Sequence, residues 1–410
     1  MSQRQYNILS VAATPFFVDR GGHTHIYEQA RALQALGHRF TLVTYHIGRD
    51  MPDIDTRRII NIPWYKKLDA GPSYHKPYIA LLLFEKAMRV ANEIKPNIVH
   101  AHGWDSAWVA WWLWKLRGVP YVFDMQGSFS GEIAEHGYAG KGGLYFNLLS
   151  AIERLTLKAS PVVLTSSTEI CRQARERFHL SADHIWPILD GVDTDVFSPE
   201  AFPPDPELRR ALGLPEDKQI IVFMGILKPY QGVDDMIEAA RILVYERNYT
   251  DAHFLIIGFP DEDVYAQKAA EQGVADYMTF VGKIPYQETG RYVSLGDLAI
   301  APKISMTEGD GKIYFYMAMG LPVVAYERPA SLEILGDLGI YAKFHDPQDL
   351  ARALHETLLQ PEFMKQRGQE NRQKAIEEYS WLRVASRIVD AYSIAEQRMV
   401  SRKRINRGQS

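Results

Sequence analysis

Residues 308–326 read EGDGKIYFYMAMGLPVVAY, and the parsing of this stretch decides the fold. A polar, glycine-rich loop of Glu308, Gly309, Asp310 and Gly311 leads through Lys312 into an apolar segment. Gly320 and Pro322 then stop that segment, and the run Val323–Tyr326 is a strand. The unit is therefore loop, helix, strand. Ile313 and Met317 stand one turn apart and predict the buried stripe, whereas Tyr314, Phe315 and Tyr316 point in three directions and are not all expected in the core. Lys312 at the helix start runs against the dipole's preference for acids, and an anion shared by this lysine and the free amides would offset that.

The same alternation extends outward. β-Branched runs at 7–12, 40–45, 97–101, 121–126 and 161–165 form one series, and 220–224, 253–257, 278–281, 298–301 and 322–326 a second. Between them lie amphipathic patterns such as Ile26, Ala30, Leu33 and Leu36. Strand–helix repetition predicts parallel sheets covered by helices on both sides, and two series predict two such domains. The proline-rich stretch Phe202–Pro206 suits a linker, giving domains at 1–190 and 205–378, a C-terminal helix at 379–397 and a basic, disordered tail at 398–410.

Composition narrows the function classes. The 410 residues are 46% hydrophobic and 23% charged, as in soluble globular proteins. A formal net charge of -4 offers no general attraction to nucleic acid. One cysteine, Cys171, excludes an internal disulfide and a cysteine-based zinc cluster. No apolar run reaches the ~20 residues that span a bilayer. The N-terminus reads as a strand rather than a signal peptide. A cytoplasmic protein is expected, with any membrane contact peripheral.

In open α/β sheets ligands collect at the carboxyl ends of strands, so the residues that follow each strand are the candidates. After the first strand, Gly21-Gly22 precede a helix; a close ligand approach and a loop needing positive φ are both readings of the pair. The G-x-G-x-x-G fingerprint is missing, which argues against a dehydrogenase. His100 and His102 end a strand on one side; His100 reads as buried and satisfied, His102 as a hydrogen-bonding or acid–base group. Without a nearby third partner the pair is not expected to bind metal. Asp124, Gln126, Gly127, Ser128 and Glu132 follow another strand. In the second half Gly225 ends a strand before Lys228, Tyr230 and a helix near Gly232, where a phosphate could be held.

The segments GGHTHIYEQARALQALGHRFTLVTY, IVHAHGW, LDGVDTDVFSP, GVDDMIEAARIL, FLIIG, AMGLPVVA and the closing YSW, in this order and over nearly the whole chain, resemble retaining family 4 glycosyltransferases. The resemblance implies an α/β GT-B fold, two Rossmann-like parallel-sheet domains facing an interdomain cleft. It implies a nucleoside-diphosphate-sugar donor on the C-terminal domain and an acceptor (glycan, lipid-linked or small molecule) on the N-terminal one. The C-terminal helix is then expected to pack back toward the N-terminal domain. The anomeric configuration is kept, no cofactor or metal is needed, and cations stabilise the departing diphosphate. Gly21, Gly22, Gly225, Glu308, Gly309, Gly311, Lys312 and Tyr316 become donor-side candidates. Asp124, Gln126, Gly127 and Ser128 become acceptor-side candidates, and His102, Lys228 and Lys312 catalytic ones.

Departures from the family pattern cluster at the donor site. Ile226 stands at the family's arginine position, Gln231 at its lysine, Phe315 at its second acid, and Gln126-Gly127 replace His-Gly. A degenerate binding protein and a re-tooled enzyme both fit; a sugar-nucleotide epimerase is a more distant alternative. With Lys228 and Lys312 retained on ligand-facing loops, the active enzyme is preferred. Arg57, Arg58, Lys66 and Lys67 around Trp64 and Tyr65, with the tryptophan-rich WDSAWVAWWLWKL, add an expected peripheral membrane contact, although Trp108, Trp111 and Trp112 read as core.

Overall fold

The computed structural model describes residues 4–18, 21–68, 73–125, 127–128, 130, 143–306 and 309–408. Gln126 and Glu308 lie outside the described residues, as does Glu132. The chain forms two units: Met1–Asp190 with Trp381–Ser410, and Gly191–Ser380.

In the first unit seven strands form one parallel sheet, in order β3-β2-β1-β4-β5-β6-β7. They are β1 (Asn7–Ala12), β2 (Arg39–Thr44), β3 (Asp55–Arg58), β4 (Ile98–His102), β5 (Tyr121–Met125), β6 (Val163–Thr165) and β7 (Ile185–Pro187). The crossover helices include α1 (Gly21–Ala35), α2 (Lys76–Ile94), α3 (Trp104–Arg117) and α4 (Leu144–Ala159). Because helices cover both faces, the central strands need apolar residues at nearly every position, and β4 and β5 are buried throughout. The second unit repeats the pattern with β8 (Gln219–Met224), β9 (Ala252–Ile257), β10 (Met278–Gly282), β11 (Leu298–Ala301), β12 (Val323–Tyr326) and β13 (Ile340–Ala342), in order β10-β9-β8-β11-β12-β13. In both sheets the strand order reverses at one point, between β1 and β4 and between β8 and β11. That is the crevice where doubly wound folds bind ligands.

The ten strands expected from hydrophobic runs fall within two residues of these bounds. Three short strands were not anticipated: β3, β7 and β13. The first is the sequence DTRR, too polar to register as a strand, and it sits at the sheet edge. Its arginines are neutralised: Arg57 by Asp55 and Glu93, Arg58 by Asp50 and by the carbonyls of Phe16, Tyr45 and Ile47. Tyr65 is buried. The basic aromatic surface expected around Trp64 therefore does not include them.

Three further expectations change. Phe202–Pro206 is not a free linker: Phe202 packs beneath Gly290, and Asp205 caps the helix Pro206–Ala211 while pairing with Arg291. The basic residues 401–408 continue the helix Trp381–Gly408, because Lys and Arg are good helix formers. On α3, Trp108 and Trp112 are not core but exposed, at 47% and 44%, one turn apart on the outer face. In the helix Gly311–Ala318 the three aromatics are, as expected, not all core: Tyr314 and Tyr316 are buried along with Ile313 and Met317, and Phe315 only partly. That helix is enclosed by the sheet and by the helix Pro361–Lys374, so more than one face is covered.

Candidate functional site

In the first unit a polar cluster gathers at the carboxyl ends of β4 and β5. Register pairs His102 with Asp124 across these strands. His102 Nδ1 lies 3.2 Å from Asp124 Oδ2, and His25 Nε2 approaches the same oxygen at 3.2 Å from the first turns of α1. The other nitrogen of His25, Nδ1, lies 2.7 Å from Asp190 Oδ1 in an ion pair whose N–H is not aimed along the contact. His100 stacks on His102 with ring centroids 4.4 Å apart, and its Nδ1 is 2.8 Å from the Tyr392 hydroxyl. Tyr392 and Trp381, whose ring is 5.3 Å from that of His25, both come from the helix Trp381–Gly408, which packs on α1.

Burial alone would lower the His25 pKa, but Asp190 and Asp124 override it and raise it to about 10. Burial and the neighbouring His100 lower that of His102 to about 4, despite Asp124. Burial would raise the Asp124 pKa; contacts with the three histidines instead hold it well below the usual carboxylate range. The reason for excluding metal from sequence, a missing third partner, does not survive, since donor atoms of His25, His102 and Asp124 all lie within 4.8 Å. Yet carboxylates already engage both nitrogens of His25 and the inner nitrogen of His102, an arrangement that holds protons.

Gly22, exposed at the start of α1, has open space where a side chain would project and no positive φ, so of the two readings close approach remains. The carbonyl of Gly127 accepts a hydrogen bond from Trp104 Nε1 at 3.0 Å. Ser128 and Ser130 are bridged by Arg177, and Ser130 donates to the buried Glu153 at 2.6 Å. These contacts tie the loop after β5 to the scaffold.

The second unit's cluster follows β8 and β11. Lys312 Nζ donates to Gln231 Oε1 at 2.7 Å and lies 3.4 Å from Asp310 Oδ1. Arg328 reaches Asp310 Oδ2 at 3.2 Å and also bonds the Ser305 carbonyl. Lys303 donates to the Gly309 carbonyl at 2.8 Å. All four charged side chains are buried. Burial, opposed by Asp310 and reinforced by Lys303, brings the Lys312 pKa down to about 8. Burial would raise that of Asp310, but Lys312, Lys303 and Arg328 together lower it.

Two glycines make the geometry possible. Gly225, at φ 156, passes beside the Lys312 side chain, and Gly232, at φ 76, passes so close to Pro302 that a Cβ would lie 1.8 Å from its carbonyl oxygen. Gly309 and Gly311 border open space. Tyr316 presents no surface to a ligand: it is fully buried, and its hydroxyl accepts from Met224 N–H at 2.7 Å, bracing the end of β8. Phe315 packs on Phe197 and Tyr286 at 4.9 and 6.1 Å between centroids. Lys228 stands apart, half exposed and paired with Asp261. Sequence reasoning missed His25, Asp190, Lys303 and Arg328. The only local signal was the His23-x-His25 pair in the first turn of α1.

Comparison with known proteins identifies the family and the fold. Residues 20–196 match the model for Glycosyltransferase Family 4, and 204–374 match Glycosyl transferases group 1. A D-inositol 3-phosphate glycosyltransferase of Thermobispora bispora is 26% identical, covering 93% of this chain and 91% of that protein. An uncharacterized glycosyltransferase of Methanocaldococcus jannaschii is 24% identical over 92% and 94%. Among solved structures, a glycosyltransferase from Rickettsia africae superposes with a TM-score of 0.75 at 18% identity, over 95% of this chain and 98% of that one. Anabaena HepE in complex with UDP gives a TM-score of 0.72 at 14% identity, over 94% and 99%. With the two family models together spanning most of its length and the same fold throughout, the chain belongs to the family 4 glycosyltransferases of GT-B fold.

Proposed function

We propose that the chain transfers a sugar from a nucleoside-diphosphate-sugar to a hydroxyl-bearing acceptor, with retention of anomeric configuration. The diphosphate is held in the second unit by Lys312, Lys303 and Arg328. One observation carries this reading: among the described residues, the buried cations Lys312, Lys303 and Arg328 gather around Asp310 at the sheet's switch point. Buried cations gathered at the ends of strands suit an anionic ligand, and a diphosphate supplies charge of the opposite sign there. The same cations can stabilise the leaving diphosphate without a divalent ion.

The cluster also accounts for the lost family lysine. Gln231 occupies that position, and the Lys312 ammonium is delivered to its side chain. Charge has been relocated rather than removed, which favours an active enzyme over a degenerate binder. HepE is solved with UDP and UDP-glucose, which supports a nucleotide-sugar donor.

The acceptor belongs to the first unit, and the Thermobispora relative makes inositol phosphates the first class to try. A lipid-linked acceptor is a second reading, favoured by one surface. Trp108, Trp112 and Leu116 form an exposed stripe on α3, Leu148 and Leu155 are exposed on the neighbouring α4, and Lys115, Arg117 and Lys158 lie on the same helices. Such a face suits peripheral contact at a cytoplasmic membrane surface. Co-sedimentation with anionic but not neutral vesicles is expected; binding to neither leaves a soluble acceptor.

A panel of nucleotide-sugars screened by thermal stabilisation, followed by transfer assays with inositol phosphates and glycans, tests the reading. Stabilisation by one diphosphate-sugar and acceptor-dependent release of the nucleoside diphosphate are expected. Conversion of the donor without acceptor points to an epimerase, and binding without turnover to a degenerate member.

A further inference from the structure

The Nε2 of His102 is buried and has no hydrogen-bond partner among the described residues, although the side chain is only 5% exposed. A buried imidazole nitrogen left open is costly unless a ligand completes it. Whether that ligand must give or take a proton depends on the tautomer, and the neighbours determine the tautomer.

We propose that Asp190, His25 and Asp124 form a positioning chain that locks His102 as the neutral tautomer with its proton on Nδ1. Nε2 then accepts a hydrogen bond from a hydroxyl of a sugar or polyol and cannot donate one to a phosphate oxygen.

The geometry runs as a line of alternating charge. Asp190 and Asp124 flank His25 at 2.7 and 3.2 Å, so both ring nitrogens face carboxylates and both carry protons. Asp124 stands next, 3.2 Å from Nδ1 of His102. A carboxylate can only accept, so the His102 proton sits on Nδ1 and the lone pair on Nε2. The positive charge of His25 matters as much as the negative charge of Asp124. Without it the carboxylate would draw a second proton onto His102, turning Nε2 into a donor. Among the described residues, the other titratable groups at the cluster are His100, stacked on His102 with Nε2 3.7 Å from Asp124, and Tyr392, whose hydroxyl meets His100. Neither reaches Nε2 of His102. The shifts of His25 to about 10 and His102 to about 4 agree with this distribution.

The identity of the hydroxyl-bearing ligand rests on the transferase reading; the tautomer does not. Nitrogen-15 NMR of the full chain labelled at histidine reads it directly, without substrate. Between about pH 5 and 8, His102 should show one protonated nitrogen, Nδ1, and one bare nitrogen, while His25 stays doubly protonated. In His25→Gln, which keeps a donor toward Asp124 but loses the charge, half-protonation of His102 should move up by at least about one pH unit. In Asp190→Asn, the milder variant, His25 should lose its second proton at a lower pH. A His102 that titrates near its ordinary pKa in the wild type, carries its proton on Nε2, or ignores both substitutions overturns the proposal. A confirmed tautomer in a chain that transfers no sugar contradicts the transferase reading alone.

Discussion

The two units share a strand order and gather polar side chains at the same switch point, yet their charges are opposite in kind. In the first, one imidazolium sits between two carboxylates, Asp124 and Asp190. In the second, three cations surround Asp310. The fold supplies the place and the side chains supply the sign. A surface rich in neutral and negative groups suits hydroxyls; one rich in buried cations suits phosphate.

The largest expected effect is on the second unit's stability. Arg328 is buried and holds both Asp310 and the Ser305 carbonyl, so Arg328→Met leaves a buried carboxylate with fewer partners. Loss of a buried ion partner costs about 3–5 kcal/mol, measured as a fall in the denaturant midpoint. A change below ~1 kcal/mol would mean that the cluster is not electrostatically coupled. Next, Lys312→Met should weaken nucleoside-diphosphate binding by about 1.5–3 kcal/mol, the value of a hydrogen bond to a charged group, while leaving binding of a simple sugar or polyol in the first unit unchanged. Equal losses for both ligands in calorimetry would erase the contrast between the units.

The contrast also has a pH signature. Burial brings the Lys312 ammonium down to about 8, whereas the unfolded chain keeps that proton to about 10.4. Between these values the unfolded state binds more protons, so this group's contribution to stability grows as pH rises. Diphosphate binding runs the other way: it needs the ammonium, is complete below about 8, and should fall by up to about tenfold between pH 8 and 9. His25 keeps its charge until about 10, so the first unit's cluster is unchanged across that window. Gly232→Ala should destabilise by more than about 1 kcal/mol through both its positive φ and the Pro302 carbonyl.

What could be read from sequence follows from range. Strands such as IIVFM and HFLII announce themselves because both faces of a parallel sheet are buried, and the loop–helix–strand unit at 308–326 is local. Edge strands with little apolar content, such as DTRR, carry no such signal. Lys312 was visible as a cation at a helix start, but its partner Gln231 is 81 positions away, and His25 meets Asp124 across 99. Arg328 follows a strand in ERPAS, where nothing local distinguishes a buried arginine from an exposed one. Charge networks assembled by the sheet's switch point need the fold before they can be seen.

Lys228 gives the smallest effect and the sharpest check on that lesson. By sequence it is as good a phosphate ligand as Lys312, since both stand on loops after strands. In the structure it is half exposed and its ammonium is paired with Asp261, on the loop after β9. An exposed pair of this kind contributes about 0–1 kcal/mol, because water screens the charges and the long side chain is costly to order. Lys228→Ala should therefore change diphosphate affinity by less than about fivefold, within that same range. Asp261→Ala is the companion variant: it frees the ammonium, and any gain in affinity shows that Asp261 restrains Lys228 from the phosphate. A loss with Lys228→Ala as large as that with Lys312→Met would place the anion over the surface loop after β8 rather than against the buried cluster, and the three-cation account of the second unit would fall.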